Sequence, residues 1–174
     1  MTPPTRRGMV IRMFEKLTPE MARVIDAAQR IARDYEQEYV GTEHLLLAIV
    51  SEEAGAGAEI LKALGVTVGK AKKLVDELIE KSLEDTWVFG RLPGTPHFRN
   101  VMAKAIEEAR QLESKVVCTE HLLLALCRED GSVAHAALQN LGVRAGTIRY
   151  ELTKRLDASG EQADTSDPTS PGDV

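Results

Sequence analysis

Thr42-Glu43-His44-Leu45-Leu46-Leu47-Ala48 returns 77 positions later as Thr119-Glu120-His121-Leu122-Leu123-Leu124-Ala125. The same offset lays Thr18-Pro19 on Thr95-Pro96 and Leu64-Gly65-Val66 on Leu141-Gly142-Val143. No gap intervenes, and 20 of the 49 pairs between 18–66 and 95–143 are identical. Unrelated segments of ordinary composition would share about 3. The chain is a duplicated unit, so any site in one half predicts a pseudo-symmetric site in the other.

Outward from this motif the pattern is helical. Met21, Val24, Ile25, Ala28, Ile31, Ala32 and Tyr35 recur at helix spacing and form one apolar stripe. Thr18 is placed as its N-cap, and Pro19 stands at the first helical position, where a missing N–H costs nothing. Thr95-Pro96 opens the matching helix, with Phe98, Val101, Met102, Ala105, Ala109 and Leu112 as its stripe. Thr42 and Thr119 are expected to cap short helices through the leucine runs. Three consecutive leucines cover too wide an arc for a surface helix, so these two helices should be central. Third helices are expected at about 56–64 and 133–141, closed by Gly65 and Gly142. Fourth helices follow at about 68–82 and 145–156. The first of these carries Lys70, Lys72 and Lys73 early and acids late, against the helix dipole, so it must lean on tertiary packing. The expected fold is all-α: eight helices in two pseudo-twofold four-helix repeats that share one compact domain.

The boundaries follow. Residues 1–13 read as a flexible leader, 14–157 as the double repeat and 158–174 as a disordered acidic tail. Within the double repeat, 14–82 is repeat one, 83–94 the connector and 95–157 repeat two. Trp87 and Phe89 in the connector are expected to pack on the body. A net charge of −5 argues against phosphate-backbone binding, and an aromatic content of 4% against base-stacking platforms, so no nucleic-acid partner is expected. No apolar run approaches the roughly 20 residues needed to cross a bilayer, and no secretory h-region is present. Cys118 and Cys127 do not make a disulfide framework. Together these features point to the cytoplasm and away from membranes.

Glu43 and Glu120 occupy first helical turns, where a carboxylate complements the dipole. That is either ordinary charge capping or a cation-binding position. His44 and His121 could ligate a metal, but the spacing that puts two ligands on one helical face is absent, and a packed histidine beside a leucine run is the commoner case. Cys118 precedes Thr119, yet its counterpart is Gly41, so a duplicated nucleophile is not present. No phosphate loop or dinucleotide fingerprint occurs, and no cofactor is expected. The Thr-Pro helix starts, with free N–H groups and a hydroxyl, are candidate anion sites as well as plain N-caps.

The pattern Met-Phe-x-x-Leu-Thr-Pro from Met13, then Tyr-Val-Gly-Thr-Glu-His-Leu-Leu-Leu-Ala from Tyr39, then Leu-x-x-Leu-Gly-Val from Leu61 resembles the N-terminal domain of Clp/Hsp100 unfoldases, the ClpC type in particular. The resemblance covers about residues 13–157. It implies a non-enzymatic module that receives protein substrates or adaptors for AAA+ rings feeding the ClpP protease. It also implies two equivalent phosphoarginine sites, at positions matching Thr18 and Glu43 in one repeat and Thr95 and Glu120 in the other. A carboxylate would pair with the guanidinium while helix-start donors hold the phosphate. Because no ATPase signature follows, the expectation is a stand-alone chain that docks on a ClpC-type unfoldase, ClpP or their clients. Two rivals from other classes stand beside this. One is a small metal-dependent hydrolase using Glu43, His44, Glu120 and His121, and the other is a ligand-free dimerising scaffold.

Overall fold

The structure, a computed structural model, describes residues 17–82 and 95–163. The expected leader and connector, with Trp87 and Phe89, lie outside these residues. Eight helices follow in order: α1 Pro19–Asp34, α2 Thr42–Glu52, α3 Gly55–Ala63, α4 Val68–Ser82, α5 Pro96–Gln111, α6 Thr119–Arg128, α7 Val133–Asn140 and α8 Ala145–Ala163. Among the described residues the only extended pairing is an isolated parallel bridge between Leu17 and Val117. The all-α, two-repeat architecture is the one the sequence predicts.

Local chemistry sets the helix ends. The Thr18 hydroxyl accepts from the Met21 amide at 3.3 Å and the Thr95 hydroxyl from Phe98 at 3.1 Å, each with proline next in line. These are the expected N-caps. Helix α3 closes through paired bonds, Val66 N to Leu61 O (2.9 Å) and Gly65 N to Lys62 O (3.0 Å), and α7 repeats them at Val143 and Gly142. The closing residue must adopt positive φ, and Gly65 (78°) and Gly142 (74°) do so without the Cβ penalty. The same closure ends α1 and α5, but there Glu36 and Glu113 take the left-handed position at φ 55°.

Helices α2 and α6 are central. Every residue from Thr42 to Val50 is buried, as are Thr119 and His121–Leu126. Helix α1 packs on α2 and α5 on α6; across the repeats, α3 packs on α6 and α7 on α2, while α4 meets α7 and α8 meets α3. One apolar cluster contains residues of all eight helices, so the two repeats share a core. Helix α4 joins it through Ala71 and Val75, the packing its unfavourable charge order demanded.

Three expectations are corrected. Thr42 and Thr119 are the first residues of their helices, not the caps, which are Gly41 and Cys118. The backbone amide of each cap donates instead to a histidine three residues on, Gly41 N to His44 Nδ1 and Cys118 N to His121 Nδ1, both at 2.9 Å. The threonines are thereby released for contacts across the repeat boundary. The Thr119 hydroxyl accepts from Gly57 N at 3.0 Å, and the Thr42 hydroxyl accepts from Ala134 N at 3.3 Å. Leu112 does not join the α5 stripe; it is the helix-ending residue and is 45% exposed. Helix α8 runs on to Ala163, so residues 158–163 of the expected tail are helical.

Candidate functional site

The two Thr-Pro helix starts are held by the opposite repeat. Thr18 N donates to Val117 O, and Thr95 N donates to Val40 O, both at 3.1 Å. Val117 leads through Cys118 into the Glu120 turn, and Val40 leads through Gly41 into the Glu43 turn. The structure therefore brings Thr95 to the Glu43 side and Thr18 to the Glu120 side. The same-repeat pairing of Thr18 with Glu43 and Thr95 with Glu120 is corrected: each site takes its helix start from one repeat and its carboxylate from the other.

At the Thr95 site, Glu43 is only 6% exposed. Its carboxylate folds back over Gly41 so closely that a Cβ at that position would stand 2.4 Å from Oε2. No Lys, Arg or His nitrogen comes within 4.0 Å of it among the described residues. Burial pushes its carboxyl above the usual carboxylate range, opposed by hydrogen bonding to its own amide and to Thr42 and by the charge of nearby His97. A carboxylate in this state gains from a cationic partner.

His97 lies in the first turn of α5, two residues after Thr95, and its ring Nδ1 is 2.7 Å from Glu129 Oε1. Glu129, at the end of α6, also accepts from Asn100 at 3.1 Å and from the Lys104 ammonium. Burial pushes its carboxyl up, but the hydrogen bonds from Lys104, His97 and Asn100 outweigh this and hold its pKa down at about 2. Ionised, Glu129 only accepts, so His97 Nδ1 carries the proton and the ring is fixed in place. Tyr39, 38% exposed, lies close enough to Glu43 that the carboxylate raises its pKa further after burial has done so.

The Thr18 site differs residue by residue. Cys118 stands where the first repeat has Gly41, and Glu120 is half-buried rather than buried. Burial, Glu120 (by charge and by hydrogen bond) and Glu20 together push the Cys118 thiol up to about 11. Donor atoms of Cys118, Glu120 and His121 lie within 4.8 Å of one another, so this trio could meet a cation. Against that, the thiol resists ionisation, and His121 Nδ1 already accepts the Cys118 amide. The trio has no copy in repeat one. His44 is fully buried, and burial lowers its pKa to about 4, so it is neutral and serves the helix start. Both cysteines are free.

Residue patterns alone did not single out His97, Glu129, Tyr39 or the space-making Gly41. Reading the 77-residue offset for differences rather than identities would have flagged His97 against Glu20, because it marks where the two sites part.

The two candidate sites are thus related by the pseudo-twofold repetition of a double helical repeat. The chain belongs to the family described as the Clp repeat (R) N-terminal domain, whose model matches residues 16–141 and again 94–172. It is 36% identical over 155 residues, 89% of its length, to a chloroplastic ClpA homologue named as an ATP-dependent Clp protease ATP-binding subunit in Brassica napus. It is 38% identical over 149 residues to the corresponding subunit of Porphyra purpurea. The chain spans only 18% of the length of either. Its fold matches the N-terminal domain of the chaperone ClpD from Arabidopsis thaliana, with a TM-score of 0.62 at 21% identity over 83% of this chain and 96% of that one. It also matches the N-terminal domain of Hsp104 from Candida albicans, with a TM-score of 0.57 at 16% identity over 78% and 88%. No helix among the described residues is long and apolar enough to cross a membrane.

Proposed function

We propose that the chain is a non-enzymatic protein-receiving module of a Clp proteolytic system, and that it docks phosphoarginine on client proteins. The observation that carries this is the buried Glu43 carboxylate, without a basic neighbour inside ion-pair distance among the described residues, beside a capped helix start at Thr95. A guanidinium supplies the missing partner, and the phosphoryl group attached to it meets the α5 N-terminus, where the His97 amide is the first-turn donor not taken by Thr95. Client or adaptor proteins are the partners this chemistry fits, with a ClpC-type unfoldase or ClpP as the machine they are passed to. The histidines of the alternative hydrolase reading are committed to capping their own helices, which weighs against it.

Calorimetric titration of phosphoarginine against the wild type and the Glu43→Ala/Glu120→Ala variant tests the reading. Binding by the wild type that the double variant loses is the expected result. Equal binding by both, or none by the wild type, removes phosphoarginine from the proposal.

A further inference from the structure

We infer that the two pseudo-equivalent sites are not equivalent: the site of Thr95, His97 and Glu43 takes a phosphorylated guanidinium, and the site of Thr18, Glu20, Cys118 and Glu120 does not. This rests on the phosphoarginine reading above and specifies which half of the molecule carries it.

The difference begins at one position. Gly41 leaves the space into which the Glu43 carboxylate folds, and a Cβ there would overlap both carboxylate oxygens. Cys118 fills that space with a Cβ and a thiol, so Glu120 cannot adopt the same pose. It stays half-buried, with the thiol as its hydrogen-bond partner. Glu43 meets a guanidinium in a dry setting, where a charge-assisted pair is strong; Glu120 meets it with water competing.

The phosphate end differs as well. His97 and Glu20 are matched positions, each in the first turn of its helix. His97 brings no negative charge there; its ring is anchored through Nδ1 on Glu129, and its charge lowers the pKa of the Glu43 carboxyl rather than opposing an anion. Glu20 brings a negative charge to the place where a phosphoryl group would sit, and its influence reaches Cys118. A phosphoryl group at that helix start therefore faces Glu20 as well as Glu120, and like charges offset donation from the Glu20 amide, the first-turn N–H not taken by Thr18. Flanking the sites, Tyr39 offers an aromatic face for guanidinium stacking where repeat two has Val116.

The test uses free phosphoarginine and the whole chain. Calorimetry should give one site per chain. Amide chemical shifts should move at Gly41–His44 and Thr95–Phe98 and stay in place at Thr18–Met21 and Cys118–His121. Glu43→Gln should weaken binding about tenfold or more, the equivalent of one charge-assisted hydrogen bond. His97→Gln, which keeps a donor for Glu129, should weaken it severalfold, and Glu120→Gln should leave it unchanged. Glu20→His/Cys118→Gly should raise the stoichiometry to two. Arginine and inorganic phosphate, each alone, should bind far more weakly. Two equal sites in the wild type, or loss of binding in Glu120→Gln with retention in Glu43→Gln, overturns the inference and leaves the phosphoarginine reading standing. No binding by the wild type removes both.

Discussion

The Thr119 hydroxyl accepts the Gly57 amide at 3.0 Å across 62 residues of sequence, from the first turn of α6 into the first turn of α3. Its twin, Thr42 to Ala134, spans 92 residues. Each threonine thus satisfies a helix-start donor of the other repeat, a cap delivered in trans. Thr119→Val should cost about 1–2 kcal/mol, the range of a lost N-cap, and Thr119→Ser should restore most of it. Urea unfolding of the three proteins measures this, with an unchanged m-value showing that the transition remains cooperative.

Gly57 is needed at that contact for space. A Cβ there would lie 2.8 Å from the Thr119 carbonyl oxygen, a backbone atom that a rotamer change cannot move. Gly57→Ala should therefore destabilise by about 1–3 kcal/mol despite alanine's better helix propensity. Repeat two already carries Ala134 at the matching position, and its bond to Thr42 is the longer one at 3.3 Å. Thermal melts of Gly57→Ala against wild type give the sign directly.

His44 sets an acid limit on the fold. Burial lowers its pKa from 6.5 to about 4, and burial lowers that of His121 as well. The unfolded chain takes up these protons below about pH 6.5, while folded His44 resists until about pH 4. Its contribution is fully present above pH 6.5 and is lost as pH falls toward 4. For His44 alone the loss amounts to about 3 kcal/mol. His44→Gln/His121→Gln keeps an acceptor at each position and cannot titrate. Its stability between pH 6.5 and 4 should fall less steeply than that of the wild type, read as unfolding free energy at half-unit pH intervals.

Glu108 holds a buried ion cluster that repeat one lacks. It is fully buried and accepts from Arg128 and, at 3.1 Å, from Arg149. Removing it takes the partner from Arg128 and Arg149, whose side chains are 36% and 43% exposed and keep water as an alternative. Glu108→Ala should therefore cost about 1–3 kcal/mol, less than breaking a fully buried pair. Glu108→Ile/Arg128→Ser borrows the residues at the matched positions, Ile31 and Ser51, and should recover part of that loss. The difference in midpoint temperature between the two variants checks the prediction.

Where the sequence decided structure locally, it was readable. The stripe from Met21 to Tyr35, the Thr-Pro starts and the closing glycines act within four residues of themselves, and the helices begin and end where they direct. The leucine runs announced their burial because no surface helix tolerates them. Interactions between distant residues left weaker traces. The hydroxyls of Thr42 and Thr119 looked like local caps because their partners lie 62 and 92 positions away. Nothing local in the sequence marks Glu108, since Arg128 and Arg149 come to it only after α6 and α8 have packed. The candidate residues Glu43 and Glu120 are visible through repetition, but repetition suggests one candidate site per repeat. Two backbone bonds, Thr18 to Val117 and Thr95 to Val40, assemble them the other way.

Those two backbone bonds bear on the history of the molecule. One unit by itself would expose a threonine-capped helix start with no glutamate next to it, and a glutamate with no helix start. Two identical copies related by a twofold axis would bring helix start and glutamate turn together at both candidate sites at once. Joining the copies in one polypeptide keeps that geometry while freeing the halves from being identical. Gly41 and Cys118, His97 and Glu20 are changes a homodimer could never make on one side alone.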